Sequence, residues 1–230
     1  MGTFKITYLH HSGFICELED CILVFDYYMD PEGKLDDLCE VSSKPLYFFV
    51  SHFHADHFNP EINRFESRAE GYFIHRDCTL TLRNHEMLHC MEVGDFMVTK
   101  YFRIKMFGST DAGGSFLINH PKASVFHAGD LNWWHWNGEP DAFNADIEKS
   151  YTTEINRLKG EKIDVAFVPA DLRLQDKYFW AVNYFLKTVG AKRLFPMHFW
   201  GRFDVCTMLR QLGYGETIAE ITQENEKFEI

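Results

Sequence analysis

The stretch Ser51-His52-Phe53-His54-Ala55-Asp56-His57 carries the strongest signal in this chain. It places three imidazoles and a carboxylate directly after the apolar run 46–50. Zn, Mn, Fe and Ni all accept such nitrogen and oxygen donors, and a hydrophobic core has no use for them at this density. The alternative is a polar loop that is merely rich in histidine. We predict a metal site at the end of a buried strand.

The composition favours a compact enzyme and argues against a nucleic-acid-binding protein. Apolar residues make up 46% of the 230 residues, with 22 Phe and 10 Tyr, which is enough for a sizeable core. The formal charge of −11 disfavours a nucleic-acid partner, because phosphate binding needs clustered Lys and Arg. Bound cations can reverse the local field, so a small anionic substrate remains compatible with this charge.

The cysteines and the apolar segments bear on the compartment. The cysteines lack Cys-x-x-Cys spacing, which predicts reduced thiols and a cytoplasmic protein; they are Cys16, Cys21, Cys39, Cys78, Cys90 and Cys206. The start of the chain opens into a strand pattern and has no signal-peptide features. No apolar run is long enough to cross a bilayer, so no membrane association is expected. The sequence gives no indication of the oligomeric state.

Hydrophobic periodicity predicts a strand-rich first half and an alternating second half. The expected strands of the first half are 4–9, 14–18, 21–25, 46–50, 72–74, 96–107, 115–119 and 123–126, with helices over 61–69 and 78–89. The second half predicts helices over 147–158, 179–189 and 205–212, and strands over 165–168 and 193–195. No linker or low-complexity segment separates the halves, so we expect one mixed α/β domain over 1–230.

Three further polar residues follow apolar strands, and the ends of strands are where an open sheet binds its ligands. They are Asp26, Asp130 and His198. Each alone would fit a turn or a helix cap. The histidine cluster needs additional ligands, however, and we therefore interpret the three residues together with it.

With these residues in place, the sequence resembles the metallo-β-lactamase superfamily, in particular hydrolases similar to L-ascorbate-6-phosphate lactonase. The resemblance covers essentially the whole chain and lies in segments that occur in the family's order: 9–14, Asp26, 52–57, 128–130 and 196–198. It implies an αββα sandwich, in which two mixed sheets pack face to face between outer helices. The metal site of such a fold lies along one edge.

The resemblance also implies a role for each matched residue. His52 and His54 would bind a first metal, and Asp56, His57 and His198 would bind a second. Asp130 would bridge both, and Asp26 would orient a ligand histidine. Adjacent cations lower the pKa of a bound water from about 15.7 towards 7, which supplies hydroxide at neutral pH. Asp56 could accept a proton from that water, and Asp56 and Asp130 are the predicted catalytic residues.

One position departs from the family pattern. A third histidine for the first metal is expected between residues 101 and 119, and no histidine occurs there. Asp111 is the best substitute, and Ser109 and Thr110 are weaker oxygen donors; a simple hairpin turn is the alternative. We expect either Asp111 near the first metal or an empty first site. The cofactor would then be one or two divalent transition metals: Zn, or alternatively Mn, Fe or Ni.

Several residues near the predicted site are candidates for orienting a metal ligand or for contacting the substrate. His11 follows the first strand and is expected to orient a ligand or touch substrate, unless it is structural. Trp133, Trp134 and Trp136 follow Asp130 closely and predict a wall of the substrate pocket, with a packed lid or a subunit contact as the alternative. Arg173 could clamp an anionic group, or else pair with a neighbouring aspartate.

These observations predict a metal-dependent hydrolase that acts on a small-molecule ester, lactone, amide or phosphoester. A non-catalytic metal-binding protein with a depleted first site is the alternative. An iron-dependent redox protein of the same superfamily is less compatible with the length, because such proteins usually carry an attached flavin domain. The substrate cannot be read from a fold and metal site that unrelated reactions share.

Overall fold

Two β-sheets form the frame of the protein, which a computed structural model describes over residues 4–230. This part of the chain has thirteen strands and four α-helices. The strands are β1 Lys5–Tyr8, β2 Phe14–Glu17, β3 Ile22–Phe25, β4 Leu46–Val50, β5 Ala69–His75, β6 Leu88–Met91, β7 Phe96–Val98, β8 Arg103–Phe107, β9 Ser115–His120, β10 Ala123–His127, β11 Val165–Pro169, β12 Arg193–Met197 and β13 Lys227–Glu229. The helices are α1 Lys34–Val41, α2 Asp141–Asn156, α3 Trp180–Thr188 and α4 Asp204–Leu209.

Both sheets mix parallel and antiparallel strands. The first has the order β13-β1-β2-β3-β4-β5-β6, and the second has the order β12-β11-β10-β9-β8-β7. Strands β3 to β6 are parallel, and so are β10 to β12. Parallel neighbours end at the same edge of a sheet, so the residues that follow β3 and β4 in one sheet are brought close together, as are those that follow β10, β11 and β12 in the other.

The sheets pack face to face through aromatic side chains. The rings of Phe14 and Phe167 stack with centroids 4.1 Å apart across the interface. The outer face of the first sheet is covered by α1 and by a 3₁₀ helix over Pro60–Phe65. Helices α2 and α3 cover the second sheet, where Phe126 stacks on Phe185 at 5.5 Å. The predicted αββα architecture is therefore confirmed, and burial of both faces explains the continuous apolar runs in the central strands.

The helix predicted over 78–89 is wrong. This segment is mostly extended, with a 3₁₀ turn at His85–Met87 before β6. Cys78, Leu80 and Leu82 are buried while the two threonines between them are exposed, which is the period of two that an extended chain requires. The pairing of β6 with β5 then completes the first sheet, and the ring of His89 stacks on Phe73.

Other boundaries also differ from the sequence-based expectation. The helix predicted over 61–69 is a 3₁₀ helix that ends at Phe65, and β5 begins at Ala69. The strand predicted over 96–107 is a hairpin of β7 and β8, because the Thr99 hydroxyl accepts the N–H groups of residues 101 and 102 and turns the chain. Helix α2 starts after Pro140, six residues before the predicted start, and neither α1 nor β13 was predicted.

Candidate metal centre

The candidate site is built from loops at strand ends along one edge of the sandwich. Asp26 follows β3, and the histidine-rich loop follows β4 in the same sheet. Asp130 comes shortly after β10, and His198 directly follows β12 in the second sheet. The structure thus brings together donors from both sheets, as the order of the motifs predicted.

The donors form two groups, in each of which the donor atoms lie within 4.8 Å of one another. One group is His52, His54 and Asp130; the other is His11, Asp56, His57 and His198. Asp130 also links them: its Oδ2 lies 3.4 Å from Nε2 of His52, and its Oδ1 lies 3.1 Å from Nε2 of His57 and 3.4 Å from that of His198. This is the arrangement in which one carboxylate can serve two adjacent cations.

Two donor atoms at the centre of the cluster are not satisfied by one another. Nε2 of His57 and Oδ1 of Asp130 are only 3.1 Å apart, yet both are buried and neither makes a hydrogen bond. Nε2 of His52 differs, because it lies 3.0 Å from Nδ1 of His54 and can accept its proton. Buried polar atoms are rarely left unpaired. Nitrogen and carboxylate donors that converge without bonding to each other fit a divalent transition metal.

Asp26 holds two of the histidines in place. Its Oδ2 accepts a hydrogen bond from Nδ1 of His57 at 2.7 Å and from the Ser51 hydroxyl at 2.6 Å, and its Oδ1 accepts the Ser51 backbone N–H. With its proton given to Asp26, the Ser51 oxygen can accept from Nδ1 of His52 at 2.9 Å. Both imidazoles therefore present Nε2 to the cluster, which is the orienting role predicted for Asp26.

Asp171 orients His198, the histidine that follows β12 in the second sheet. Its Oδ2 accepts from Nδ1 of His198 at 3.0 Å, which leaves Nε2 of His198 facing Asp130. Asp171 is almost fully buried and lies just beyond the end of β11. From the sequence, Asp171 was expected only as one of two neighbouring aspartates that could pair with Arg173, although its position after an apolar strand was the signal that identified other site residues.

The electrostatics of the cluster favour ionised carboxylates. Burial opposes ionisation of Asp130, but His57 and His52 hold the pKa of its carboxyl well below the ordinary value. Burial likewise opposes ionisation of Asp56, and His11 and His57 lower its pKa below the ordinary value. For His57, Asp130 and Asp26 outweigh the effect of burial and raise the pKa to about 10. Without a metal, a proton therefore supplies the positive charge that these carboxylates need.

The backbone around the site is strained. Six non-glycine residues of the described chain have positive φ, and four of them belong to this edge: His11, Asp26, His198 and Trp200. Such conformations cost about 1–3 kcal/mol each and persist where the surrounding structure imposes them. The loop 108–114 also packs tightly here, because a Cβ at Gly113 would lie 2.0 Å from the carbonyl oxygen of Ser51.

Asp111 occupies the region where the family's missing histidine was expected. Its Oδ2 lies 4.0 Å from Nδ1 of His54, and its side chain is about half exposed at the rim of the pocket. It is near the first group of donors without belonging to it. Thr110 points inwards instead, and its hydroxyl donates to the carbonyl oxygen of Asn132 at 2.6 Å, so this hairpin anchors the loop that follows Asp130.

A cavity of about 330 Å³ opens above the donors. Trp134, Trp136 and Trp200 line it together with Arg173. The guanidinium lies between two of the indoles, 5.4 Å from the ring centre of Trp200 and 5.8 Å from that of Trp136. It also forms a bidentate ion pair with Asp171. Arg173 therefore pairs with a neighbouring aspartate and lines the pocket at the same time.

The structure corrects the assignment of Trp133 and adds Trp200 to the pocket. Trp133 does not line the pocket: its ring packs against Tyr151 and Trp180 beneath α2 and α3. Alternate residues of an extended loop point to opposite sides, so Trp134 and Trp136 face the cavity and Trp133 faces the core. His11, predicted to orient a ligand or touch substrate, has a ring nitrogen within 4.8 Å of the donor atoms of the second group. Trp200 was missed, although its position two residues after His198 is a signal that could have identified it.

Comparisons with known proteins agree with this architecture. Neither a family model nor a curated protein matches the chain. Among solved structures, it is similar to the metallo hydrolase Igni18 from Ignicoccus hospitalis (TM-score 0.68, 14% identity, 100% of this chain and 99% of that one). It is also similar to the metallo-β-lactamase fold protein YhfI from Bacillus subtilis (TM-score 0.67, 14% identity, 100% of both chains).

A third similar structure is CmlA, a diiron β-hydroxylase from Streptomyces venezuelae (TM-score 0.62, 10% identity). The match covers 99% of this chain and 54% of CmlA. Identities this low define the fold alone. The protein has the metallo-β-lactamase fold, as its motifs predicted. No helix within residues 4–230 is both long and apolar enough to span a membrane.

Proposed function

We propose that the protein is a metal-dependent hydrolase that cleaves a small ester, lactone, amide or phosphoester. The observation that supports this most directly is the unpaired, buried contact between His57 and Asp130, which lies where two donor groups meet beneath an open pocket. Hydrolysis is the reaction that the similarity to the metallo hydrolase Igni18 suggests. Lactones are included because the motifs resemble those of the L-ascorbate-6-phosphate lactonase group.

The two donor groups and Asp130 would together bind two cations. His52 and His54 would hold one, Asp56, His57 and His198 would hold the other, and Asp130 would contact both. Zn suits this mixed nitrogen and oxygen set, as do Mn, Fe or Ni. Bound divalent cations would supply Lewis acidity, both for the scissile carbonyl or phosphoryl group and for water. Asp56 is the carboxylate best placed to accept a proton, because it is about one-quarter exposed and lines the pocket.

We further propose that the substrate is a small molecule that carries a negative group beside an apolar part. Trp134, Trp136 and Trp200 offer the apolar contact, and Arg173 offers the cation. Arg173 already shares its charge with Asp171, so it would orient the anionic group more than it would add affinity.

All six cysteines are free thiols, which supports a reducing, cytoplasmic location within this proposal.

Metal analysis combined with a substrate panel tests the proposal. Protein purified without chelator should contain Zn, Mn, Fe or Ni, and should hydrolyse a generic ester, lactone or phosphodiester. Chelation should abolish hydrolysis, and added metal should restore it. His57→Ala should lower metal content and activity, while the exposed His85→Ala serves as a matched control.

The other outcomes are informative. Metal without hydrolysis of any substrate in this panel, extended by a generic amide, would favour the non-catalytic metal-binding alternative. Bound iron together with redox activity would favour a function similar to that of the diiron β-hydroxylase. Metal-free protein from metal-replete medium would refute the proposal altogether.

A further inference from the structure

The two donor groups are unequal, and His11 is the residue that makes them so. The group around His52 and His54 lacks the family's third histidine, and Asp111 stays at its rim. The other group has gained His11 beyond the residues that the resemblance assigned to it. Two imidazoles lie on one side of Asp130, and three lie on the other.

The surroundings of His11 fit a ligand better than a structural histidine. The side chain is fully buried, and neither ring nitrogen makes a hydrogen bond. Its Nε2 lies 3.3 Å from Oδ2 of Asp56, close enough for a hydrogen bond but not aligned for one. The contact between His57 and Asp130 has the same character, so both histidines and both carboxylates converge on a common region.

The backbone holds His11 in this position at a cost. The residue has φ of +56°, and the hydroxyl of Tyr8 accepts its N–H at 2.8 Å. Its carbonyl oxygen accepts the N–H of His198, which ties the loop after β1 to the loop after β12. The imidazole is packed between the rings of His198 and Trp200, with centroids 4.1 and 4.2 Å away. A structural histidine would not require an unpaired ring and a strained backbone together.

We infer that His11 is an additional ligand of the second metal and that the two metals therefore bind in sequence. This inference rests on the proposed metal centre. The second site would offer three imidazoles, Asp56 and a share of Asp130, whereas the first would offer two imidazoles and a share of Asp130. More charged and nitrogen donors give tighter binding of the same cation, so the second site fills first. The first site holds an exchangeable cation close to the open pocket.

Metal titration of the chelator-stripped, full-length protein tests this inference. Co²⁺, followed by visible absorption and calorimetry, should bind in a tight step and a weaker step. His11→Ala should weaken the tight step by at least about 10-fold and leave the weaker step unchanged. His54→Ala should do the reverse. His10→Ala is the matched control, because His10 pairs with Glu224 outside the cluster and should alter neither step.

The outcomes separate this inference from the proposed function. If wild-type protein binds no Co²⁺, both fail. If it binds Co²⁺ and the curve for His11→Ala superimposes on it, only the inference fails. A merely structural role would lower the Tm of the metal-free variant without changing either affinity, which also overturns the inference. Should His11→Ala not fold, ¹⁵N-histidine NMR of the wild type with one equivalent of Zn²⁺ decides: Nε2 of His11 must move to the position of a metal-bound nitrogen, or the inference is wrong.

Discussion

Oδ2 of Asp171 lies 3.0 Å from Nδ1 of His198, and the same carboxylate holds the guanidinium of Arg173. A single buried group therefore positions a predicted metal ligand and the cation on the pocket wall. Any change at Asp171 should therefore affect both places, so its substitution tests whether metal binding and substrate binding are coupled.

Asp171→Asn should weaken metal binding. The amide keeps the size of the side chain but loses the charge that orients His198, and removing such a supporting group typically costs about 10–100-fold in affinity. Competition with a chromophoric chelator would measure this change. Asp176→Asn is the matched control, because Asp176 is exposed and pairs only with Lys177 among its charged neighbours. Equal affinities of the two variants would contradict the assigned role of Asp171.

Asp26→Asn should destabilise the fold as well as the metal site. The carboxylate accepts hydrogen bonds from the Ser51 backbone, the Ser51 hydroxyl and His57, and an amide has only one oxygen to offer. Each buried partner left unpaired costs roughly 1–3 kcal/mol. Urea denaturation should therefore show a loss of this size. Asp20→Asn, at the opposite end of β3 and half exposed, should cost no more than about 1 kcal/mol.

Gly113→Ala should disrupt the site more than the strain of its backbone alone explains. The added Cβ would lie 2.0 Å from the Ser51 carbonyl oxygen and 2.4 Å from the Cβ of His52. Gly94→Ala isolates the conformational cost, because Gly94 also has positive φ but no atom within 4 Å of the new methyl group. We expect Gly94→Ala to lose about 1–3 kcal/mol of stability and to keep its metal. Gly113→Ala should lose more stability and also metal; matching behaviour of the two variants would refute the steric argument.

Substitutions of Trp136 and Trp133 should separate the pocket from the core. Trp136 lines the cavity, so Trp136→Ala should raise KM for a turned-over substrate and change stability little. Trp133 packs beneath two helices, and Trp133→Ala should lower the free energy of unfolding by roughly 3–5 kcal/mol. Steady-state kinetics and thermal unfolding of both variants check this. A large stability loss with unchanged KM for Trp136→Ala would place that residue in the core instead.

The central features of the fold could be predicted because they depend on local patterns. Strands such as β3 and β4 are buried on both faces, so they appear as continuous apolar runs that need no tertiary information. The segment 78–89 was placed wrongly although Cys78, Leu80 and Leu82 alternate with threonines at the period of an extended chain; only its last residues take their conformation from pairing with β5. Edge elements such as β13 are short and gain their stability from the neighbouring strand, so their own residues carry little signal.

The sequence by itself determined that three histidines and an aspartate share one short loop after β4, and that Asp26, Asp130 and His198 follow other apolar strands. Only the tertiary structure decided that these residues meet and which others join them. His11, Asp171 and Trp200 reach the site through strand ends that two packed sheets align at one edge. The directions of His11 and Trp200 depend on positive φ values that the surrounding contacts impose. No spacing along the chain encodes that geometry.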